Sequence, residues 1–297
     1  MNQGPSLSVV VCTHNRPLDL ERCLEGISAL ADPAEVIVVD SASEPPCREL
    51  VAAYQDRIEN LVYVREDRPG HSRARNRGVA AASGDVIAFL DDDASPRPDW
   101  ARRIVAPFGA DPAIGCVGGA CHPVFPDGAK PDWLSDRLLQ FAAITRFGPE
   151  AREASSSAEW PFGANMAFRR EALAQAGPFS ETLGREGTSL LSGDDSAAIE
   201  SVRRAGWKIW LEPSAVVDHA VHAERCRSRY YWRRLWWQGI TRARAKDARA
   251  AVGLRLLAAA PVRLCLYAAT RDRIYLYRIA EAGGYLTERL RPRREPA

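Results

Sequence analysis

Short apolar runs alternate with helix-like stretches over the first hundred residues. The runs are rich in valine and isoleucine and are typical of strands buried on both faces of a parallel sheet. We predict four strands, at Leu7–Cys12, Glu35–Val39, Leu61–Val64 and Val86–Leu90. Between them we predict three helices, over Pro17–Leu30, Cys47–Asp56 and Ser72–Ala82. The third begins at a serine, a common N-cap residue. This alternation predicts βαβ units and therefore an α/β fold.

The middle of the chain has a mixed pattern, in which we predict four more strands, at Cys116–Gly119, Ala164–Phe168, Lys208–Leu211 and Ala215–Val217. A helix is predicted over Ser196–Arg204, with Asp194 or Asp195 as its cap. Residues 126–159 show weak periodicity and are predicted to be a mobile loop over a site. Beyond Arg225 the pattern is helical and aromatic.

Length and composition exclude several classes of protein. A chain of 297 residues that is 46% hydrophobic and 26% charged suits one large domain or two modest ones. It is not disordered, collagen-like or a coiled coil. No apolar run has the ~18 residues of a spanning helix. Seven cysteines without a CxxC pair, and a start that lacks a signal-peptide pattern, lead us to expect a cytoplasmic protein.

Charge is divided unevenly along the chain. Residues 225–297 carry 18 lysines and arginines against five carboxylates, whereas residues 1–224 carry 22 against 33. A basic tail predicts an anionic partner. Three hypotheses stay open: contact with an anionic membrane surface, a helical appendage packed on the body, or a dimer contact. The apolar stretch Ala250–Ala268 is interrupted by Arg255, Pro261 and Arg263, which favours lying along a surface. No recognition motif supports nucleic-acid binding.

Three adjacent carboxylates, Asp91, Asp92 and Asp93, directly follow the fourth predicted strand. Adjacent carboxylates repel one another, and a divalent cation such as Mg²⁺ or Mn²⁺ relieves that repulsion. The alternative is a solvated acidic turn. Ligands of parallel sheets bind at the carboxyl ends of the strands, which favours the metal site.

Four further groups are candidates for chemistry, each with a structural alternative. Asp40 closes the second strand and can accept from a nucleotide or begin a turn. Arg73, Arg75 and Arg77 suit phosphate or form a solvated face. In Gly193-Asp194-Asp195, one carboxylate is a candidate general base and the other a helix cap. His219 is a candidate metal ligand or a structural histidine.

Taken together, these motifs resemble the inverting glycosyltransferases of family 2, which have the GT-A fold. The resemblance runs from about Leu7 to His222. The matching motifs, in chain order, are Val9–Arg16, Val36–Asp40, Gly70–Asn76, Asp91–Asp93, Gly163–Arg170, Gly193–Asp195 and His219. Two positions depart from the family pattern, because Asp194 replaces a glutamate and Asp40-Ser41-Ala42 replaces Asp-Asn-Ser.

The resemblance implies a role for each matching residue. Asp195 would be the catalytic base, and Asp93 and His219 would hold the cation. The donor nucleotide would contact Thr13, Asn15, Arg16, Asp40, Arg75, Asp91 and Asp92. The donor sugar would contact Gly119, Gly163, Ala164, Asn165 and Asp194.

The resemblance also implies the organisation and the activity of the chain. Residues 1–110 would form the nucleotide-binding half of a GT-A domain, residues 111–224 its sugar and acceptor half, and residues 225–297 a basic helical extension. The implied enzyme uses Mn²⁺ or Mg²⁺ and moves a sugar, from UDP as the expected nucleotide, to a glycan, lipid-linked or small-molecule acceptor. The alternatives are a non-catalytic nucleotide-sugar binder or scaffold and, more remotely, a nucleotidyltransferase or phosphatase. A homo-oligomer is a further expectation.

Overall fold

The computed structural model describes residues 4–32, 34–145, 147–187, 189–244 and 255–291. The strands are β1 (Leu7–Thr13), β2 (Glu35–Ser41), β3 (Asn60–Glu66), β4 (Val86–Asp91), β5 (Ala94–Pro96), β6 (Ile114–Val124), β7 (Arg152–Glu153), β8 (Asn165–Arg169) and β9 (Lys208–Ala220). The helices are α1 (Pro17–Ser28), α2 (Arg48–Ala52), α3 (His71–Ala81), α4 (Trp100–Ala110), α5 (Asp136–Leu139), α6 (Arg170–Ala176), α7 (Asp194–Arg204), α8 (Ser228–Arg244), α9 (Ala260–Thr270) and α10 (Ile274–Leu290).

The strands form one sheet in the order β3-β2-β1-β4-β8-β6-β9-β5, and β7 pairs with β9 at one side. Strands β1 to β4 are parallel, as their apolar runs predicted, and β8 runs antiparallel to β4 and β6. Alternate residues of β1 enter different apolar clusters: Val9 and Val11 lie in one, Val10 in the other. The sheet is therefore buried on both faces, and the predicted α/β class is confirmed.

Several predicted boundaries were wrong. Helix α3 begins at His71, and Ser72 is inside it, where its hydroxyl donates to Leu183 O instead of capping the helix. Strands predicted at Lys208–Leu211 and Ala215–Val217 are one continuous β9. The pairing of β9 with β6 shifts register between Glu212 and Val216. A β-bulge therefore accommodates the residues that separate the two predicted strands. Helix α7 begins at Asp194, two residues before the predicted start.

Two compact units divide the chain. The first contains residues 1–124, 143–187 and 194–220, and includes the whole sheet. The second contains residues 125–142, 188–193 and 221–297. The predicted loop 126–159 is thus shared between the units, and it contains α5, β7 and two short 3₁₀ turns. The predicted segment boundaries at residues 110 and 224 stay predictions.

The second unit is helical wherever the structure describes residues 221–291 outside short turns, as the sequence pattern predicted. Helix α8 packs on α10, with Tyr231 stacked on Tyr277. Helix α9 packs on α10. The first residues of the predicted apolar stretch Ala250–Ala268 lie outside the described residues, which resume at Arg255. Over the described ranges, no helix is both long enough and apolar enough to cross a bilayer.

Candidate active site

The strand register gathers polar residues at the carboxyl edge of the parallel strands. Thr13 at the end of β1 pairs with Asp40 of β2, and Cys12 pairs with Asp91 of β4. The chain then turns from β4 into β5, whose first residue, Ala94, pairs with His219 of β9. This pairing brings His219 next to the acidic run, although the two are far apart in sequence.

Asp91, Asp93 and His219 form a group that suits a divalent cation. Each offers one ligand atom, and these three atoms lie within 4.8 Å of one another. His219 Nε2 is 3.1 Å from Asp93 Oδ1, and both side chains are buried. Neither ring nitrogen of His219 has a hydrogen-bond partner in the described ranges, which is uncommon for a buried polar group. Two carboxylates and an imidazole are a donor set that Mn²⁺ accepts, so the residues fit the predicted ion.

Asp92 points away from this group. Its Oδ2 accepts from Thr13 Oγ1 at 2.8 Å, and Arg16 Nη1 lies 3.4 Å from its Oδ1. Burial and the charge of Asp93 raise the pKa of Asp92 to about 7, although Arg16 and Thr13 oppose the shift. Arg16 is equally close to Asp93 Oδ2, at 3.4 Å. The guanidinium of Arg16 therefore offsets part of the negative charge of this acidic run.

A second set of charges surrounds Asp194, the first residue of α7. Arg75 Nη1 donates to Asp194 Oδ2 at 2.7 Å, and His71 Nδ1 is 3.5 Å from the same oxygen. His71 and Arg75 are four residues apart on α3 and therefore share a face. Burial opposes ionisation of Asp194, but Arg75 and His71 outweigh burial and lower its pKa. Asp194 is thus a buried, ionised carboxylate.

Asp195 next to it has the opposite electrostatic environment. It is half-buried, its Oδ2 accepts from Gly163 N at 3.2 Å, and its Oδ1 accepts from Ser196 N at 2.7 Å. Burial and the charge of Asp194 raise the pKa of Asp195, whereas Arg75 and the two backbone donors lower it less. A partly exposed carboxylate with a raised pKa is suited to accept a proton.

Arg75 is buried rather than exposed to a phosphate. Its guanidinium lies over the rings of Phe89 and Phe179, 5.7 and 5.5 Å from their centroids. Its Nη2 is also 3.8 Å from Asp91 Oδ1. A Cβ at Gly163 would collide with this guanidinium, so a larger residue there would force Arg75 to move from its place beside Asp194. Arg75 therefore contacts carboxylates of both acidic segments, whereas the predicted contacts of Arg75 with the nucleotide and of Gly163 with the sugar stay predictions.

The carboxylate of Asp40 is also hydrogen-bonded to groups inside the protein. Its Oδ1 accepts from Ser43 N, and its Oδ2 accepts from Cys47 N, Tyr63 Oη and Arg65 Nη1, all at 2.8–3.0 Å. Burial opposes ionisation, yet these hydrogen bonds lower the pKa of Asp40 to about 2. Its carboxylate has no exposed surface for the predicted base contact. Asn15, in contrast, is exposed at the end of β1.

Asn165, a predicted sugar contact, forms hydrogen bonds inside the protein. Its Oδ1 accepts from Trp100 Nε1, and its Nδ2 donates to Ala120 O and Ala215 O, each at 2.9 Å. The side chain is fully buried and ties β8 to β6 and β9. A Cβ at Gly119 would collide with this amide, which explains the glycine. Ala164 is buried in the core. These three residues therefore shape the sheet beneath the site.

His71 is a site residue that we did not single out from the sequence. Besides Asp194, it approaches Asp91, with Nε2 3.7 Å from Oδ1. It thus lies between the cation group and the pair on α7. Its position in the matching motif Gly70–Asn76 was the available signal.

Comparisons with known proteins agree with this geometry. A family model described as glycosyl transferase family 2 matches residues 8–177, more than half of the chain. The chain belongs to this family. It is 25% identical to the glucosyl-dolichyl phosphate glucuronosyltransferase of Haloferax volcanii, over 80% of this chain and 76% of that protein. It is 28% identical to the succinoglycan biosynthesis protein ExoM of Rhizobium meliloti, over 95% of this chain and 92% of that one.

A solved structure extends the comparison to the fold. The mannosyltransferase PcManGT from Pyrobaculum calidifontis, in complex with GDP-Man and Mn²⁺, superposes with a TM-score of 0.64 at 23% identity. The match covers 96% of this chain and 88% of that one. The predicted GT-A fold and the predicted family are therefore confirmed, and the chain is a glycosyltransferase. The Mn²⁺ of that neighbour agrees with the cation that the Asp91, Asp93 and His219 group fits.

Proposed function

We propose that this glycosyltransferase moves a sugar from a nucleoside-diphosphate donor to an acceptor hydroxyl and inverts the anomeric carbon. UDP is the nucleotide that the family resemblance leads us to expect. One observation supports the proposal most. The same unit contains a group of residues that suits a divalent cation and, separate from it, a carboxylate of raised pKa, Asp195. An inverting displacement needs both a base for the attacking hydroxyl and compensation for the leaving diphosphate.

In the proposed mechanism, Asp195 accepts the proton of the acceptor hydroxyl as that oxygen bonds to the anomeric carbon. The bond from this carbon to the diphosphate oxygen breaks, and the diphosphate leaves with the electron pair. Asp194 stays ionised beside Arg75, and its charge makes Asp195 a stronger base. The two backbone donors to Asp195 fix the direction of its carboxylate.

Asp91, Asp93 and His219 would hold Mn²⁺ or Mg²⁺, which supplies positive charge where the leaving diphosphate becomes more negative. Asn15 and Arg16, at the end of β1, are the predicted nucleotide contacts whose side chains reach solvent. We assign them to the nucleotide and give Asp40 and Arg75 positioning roles. We leave Thr13 and Asp92 as a hydrogen-bonded pair that supports the acidic run.

We propose a glycan or a lipid-linked saccharide as the acceptor. The support is the relationship to a protein named for a glucosyl-dolichyl phosphate and to one named for succinoglycan biosynthesis. A small-molecule acceptor and a cytoplasmic location stay predictions.

A donor panel tests the proposal directly. UDP-, GDP- and dTDP-sugars are added to the protein with Mn²⁺ or with EDTA, and the melting temperature is measured. A true donor at a hundred times its Kd stabilises the fold by about 2.7 kcal/mol. We expect this shift with Mn²⁺ and not with EDTA. Mass spectrometry then detects transfer to glycan and polyprenyl-linked acceptors, and NMR determines the anomeric configuration of the product.

Two variants make the panel specific. Asp93→Asn is expected to lose the Mn²⁺-dependent shift, whereas Asp99→Asn, an exposed carboxylate paired with Arg103, should keep it. If no nucleotide sugar shifted the melting temperature, or if the shift persisted in EDTA, the proposed site would be wrong. Donor binding without transfer to any acceptor would favour the non-catalytic binder.

A further inference from the structure

Helix α9 exposes apolar side chains on its outer face. Neither α9 nor the helical turn before it, residues 255–258, buries any side chain fully. Four large apolar residues of this segment are exposed by 39 to 61%: Leu257, Val262, Leu264 and Leu266. Helices at a protein surface normally turn polar residues to water and apolar ones to the core. The polarity of this helix is therefore reversed.

The one charged residue inside α9 points the other way. Arg263 is half-buried, and its Nη1 donates to Leu256 O at 2.9 Å and to Arg278 O of α10 at 3.0 Å. Leu256, Arg263 and Tyr267 are spaced by seven and four residues and form the half-buried stripe of the segment. A guanidinium thus occupies the inner stripe while leucines occupy the outer face.

The charged residues within this segment have one sign. Residues 255–271 contain no aspartate or glutamate. Arg255 and Arg271 stand at the two ends of the segment, and both are exposed. An apolar face with cationic residues at its ends suits the surface of an anionic lipid layer. The apolar side chains would contact the acyl chains, and the arginines would contact the phosphate groups above them.

The composition of the segment favours lying on a bilayer over crossing it. Over the described residues, no helix is both long enough and apolar enough to span. Arg255, Pro261 and Arg263 interrupt the apolar stretch Ala250–Ala268 and favour an orientation along the surface. Two exposed tryptophans in the same unit, Trp232 and Trp236 of α8, belong to a residue type that favours membrane interfaces.

We propose that α9 lies in the headgroup region of an anionic membrane, with Leu257, Val262, Leu264 and Leu266 among the acyl chains. A second copy of the chain fits this face less well. Two such helices related by a two-fold axis and packed antiparallel would place Arg255 of one near Arg271 of the other. The segment has no carboxylate to offset those like charges.

Vesicle flotation with the full chain tests this proposal. Wild type is mixed with vesicles of phosphatidylcholine alone or with 30% phosphatidylglycerol. We expect flotation with the anionic vesicles, and at least about a tenfold weaker partition for Val262→Glu/Leu264→Glu. The matched control is Val62→Glu, a valine on β3 that is 43% exposed. Its flotation should equal that of wild type.

Two further experiments measure the contribution of charge to membrane binding and the depth of α9 in the membrane. Arg255→Glu/Arg271→Glu should weaken binding to anionic vesicles, and added NaCl should weaken wild-type binding in the same way. Cys265 lies within α9 and is the one exposed cysteine among the seven, all of which the structure describes. An environment-sensitive dye on Cys265 should shift to the blue with anionic vesicles and be quenched by lipids brominated in their acyl chains.

Three results would overturn the proposal. The first is wild-type protein that does not float with anionic vesicles, or a Val262→Glu/Leu264→Glu protein that floats as well as wild type. The second is a concentration-dependent dimer that this double variant abolishes, which would identify a second copy as the occupant. The third is a Cys265 that resists labelling in the monomer without vesicles, because the chain itself would then cover the face. Flotation needs neither donor nor acceptor, so its failure is separate from that of the proposed function.

Discussion

The segments Asp91–Asp93 and Asp194–Asp195 consist of the same residue type in different electrostatic surroundings. In the first, burial and mutual repulsion dominate, and the pKa of Asp92 rises to about 7. In the second, Arg75 and His71 lower the pKa of Asp194, while burial and the charge of Asp194 raise that of Asp195. The buried guanidinium of Arg75 is the charge that lowers the pKa of Asp194 most, and it contacts Asp194 at 2.7 Å but Asp91 only at 3.8 Å.

This comparison shows how neighbouring carboxylates acquire separate roles. A cluster whose negative charge is only partly offset is suited to attract a cation. A pair in which one member is held ionised gives the other the properties of a base.

The largest expected effect follows from Asp195→Asn. An amide cannot accept the proton of the acceptor hydroxyl, so kcat should fall on the order of 10²–10⁴-fold. Donor affinity should stay close to wild type, because the cation group is unchanged. The measurement is nucleotide release with the donor and acceptor found in the panel, together with calorimetry of donor binding. Asp99→Asn is the control, and normal turnover by Asp195→Asn would identify another residue as the base.

Arg75→Met should cause the largest loss of stability. Removing one partner of a buried ion pair costs about 3–5 kcal/mol, because Asp194 would stay buried with only the more distant His71, 3.5 Å away, beside it. Arg73→Met is the matched control on the same helix. Its partner Glu181 is at the surface, where such a pair contributes less than about 1 kcal/mol. Urea unfolding of both variants measures the difference.

The pH dependence of Arg75→Met sharpens this test. In wild type, the lowered pKa of Asp194 stabilises the fold above the unfolded value of ~3.9, and this contribution is lost as the pH falls through the folded pKa. Without Arg75, the largest charge that lowers the pKa of Asp194 is lost, so this pKa should rise. The stability difference between the variant and wild type should therefore shrink as the pH falls and Asp194 becomes protonated. A cost equal to that of Arg73→Met would show that Arg75 does not balance Asp194.

His71→Ala connects the two segments and should have a smaller effect. His71 approaches both Asp91 and Asp194, so its loss frees a candidate cation ligand to rotate. Residues that orient metal ligands typically contribute 10–100-fold in affinity, and we expect about tenfold weaker Mn²⁺ binding. Calorimetry with Mn²⁺ measures this change. His122→Ala, an exposed histidine on β6, should bind as wild type, and an unchanged His71→Ala would give His71 no role in the cation group.

The sequence allowed the first four strands and the acidic edge to be predicted, because valine and isoleucine runs such as Val36–Val39 are buried on both faces of the sheet. Helices α4 and α6 were missed. In α4, Pro107 inside the helix obscures the pattern. Strand β9 was predicted as two strands, because the residues between Glu212 and Val216 break its apolar run at the bulge.

The internal contacts of Asn165 and Arg75 could not be predicted, because their partners are distant in sequence. The bond from Ser43 N to Asp40, in contrast, fits the turn that the sequence offered as an alternative. Asn165 bonds to residues 45, 50 and 65 positions away, and Arg75 bonds to Asp194, 119 positions away. In a sequence motif, a polar residue that binds a ligand cannot be distinguished from one that forms hydrogen bonds with buried groups of the protein. Only the fold reveals such internal hydrogen bonds, and the predicted donor contacts of Asn165, Arg75 and Asp40 stay predictions.

The smallest expected effect is a shift in the pH dependence of kcat/KM. Asp195 must be deprotonated to act, so kcat/KM should fall as the pH falls through its raised pKa, at a higher pH than for an ordinary carboxyl at ~3.9. Asp194→Asn removes the neighbouring charge that raises this pKa and leaves the opposing charge of Arg75 in place. The acid limb should therefore move to lower pH, although burial continues to raise the pKa of Asp195. A limb that did not move would mean that Asp194 does not set the basicity of Asp195, and the difference between the two acidic segments would then rest on burial alone.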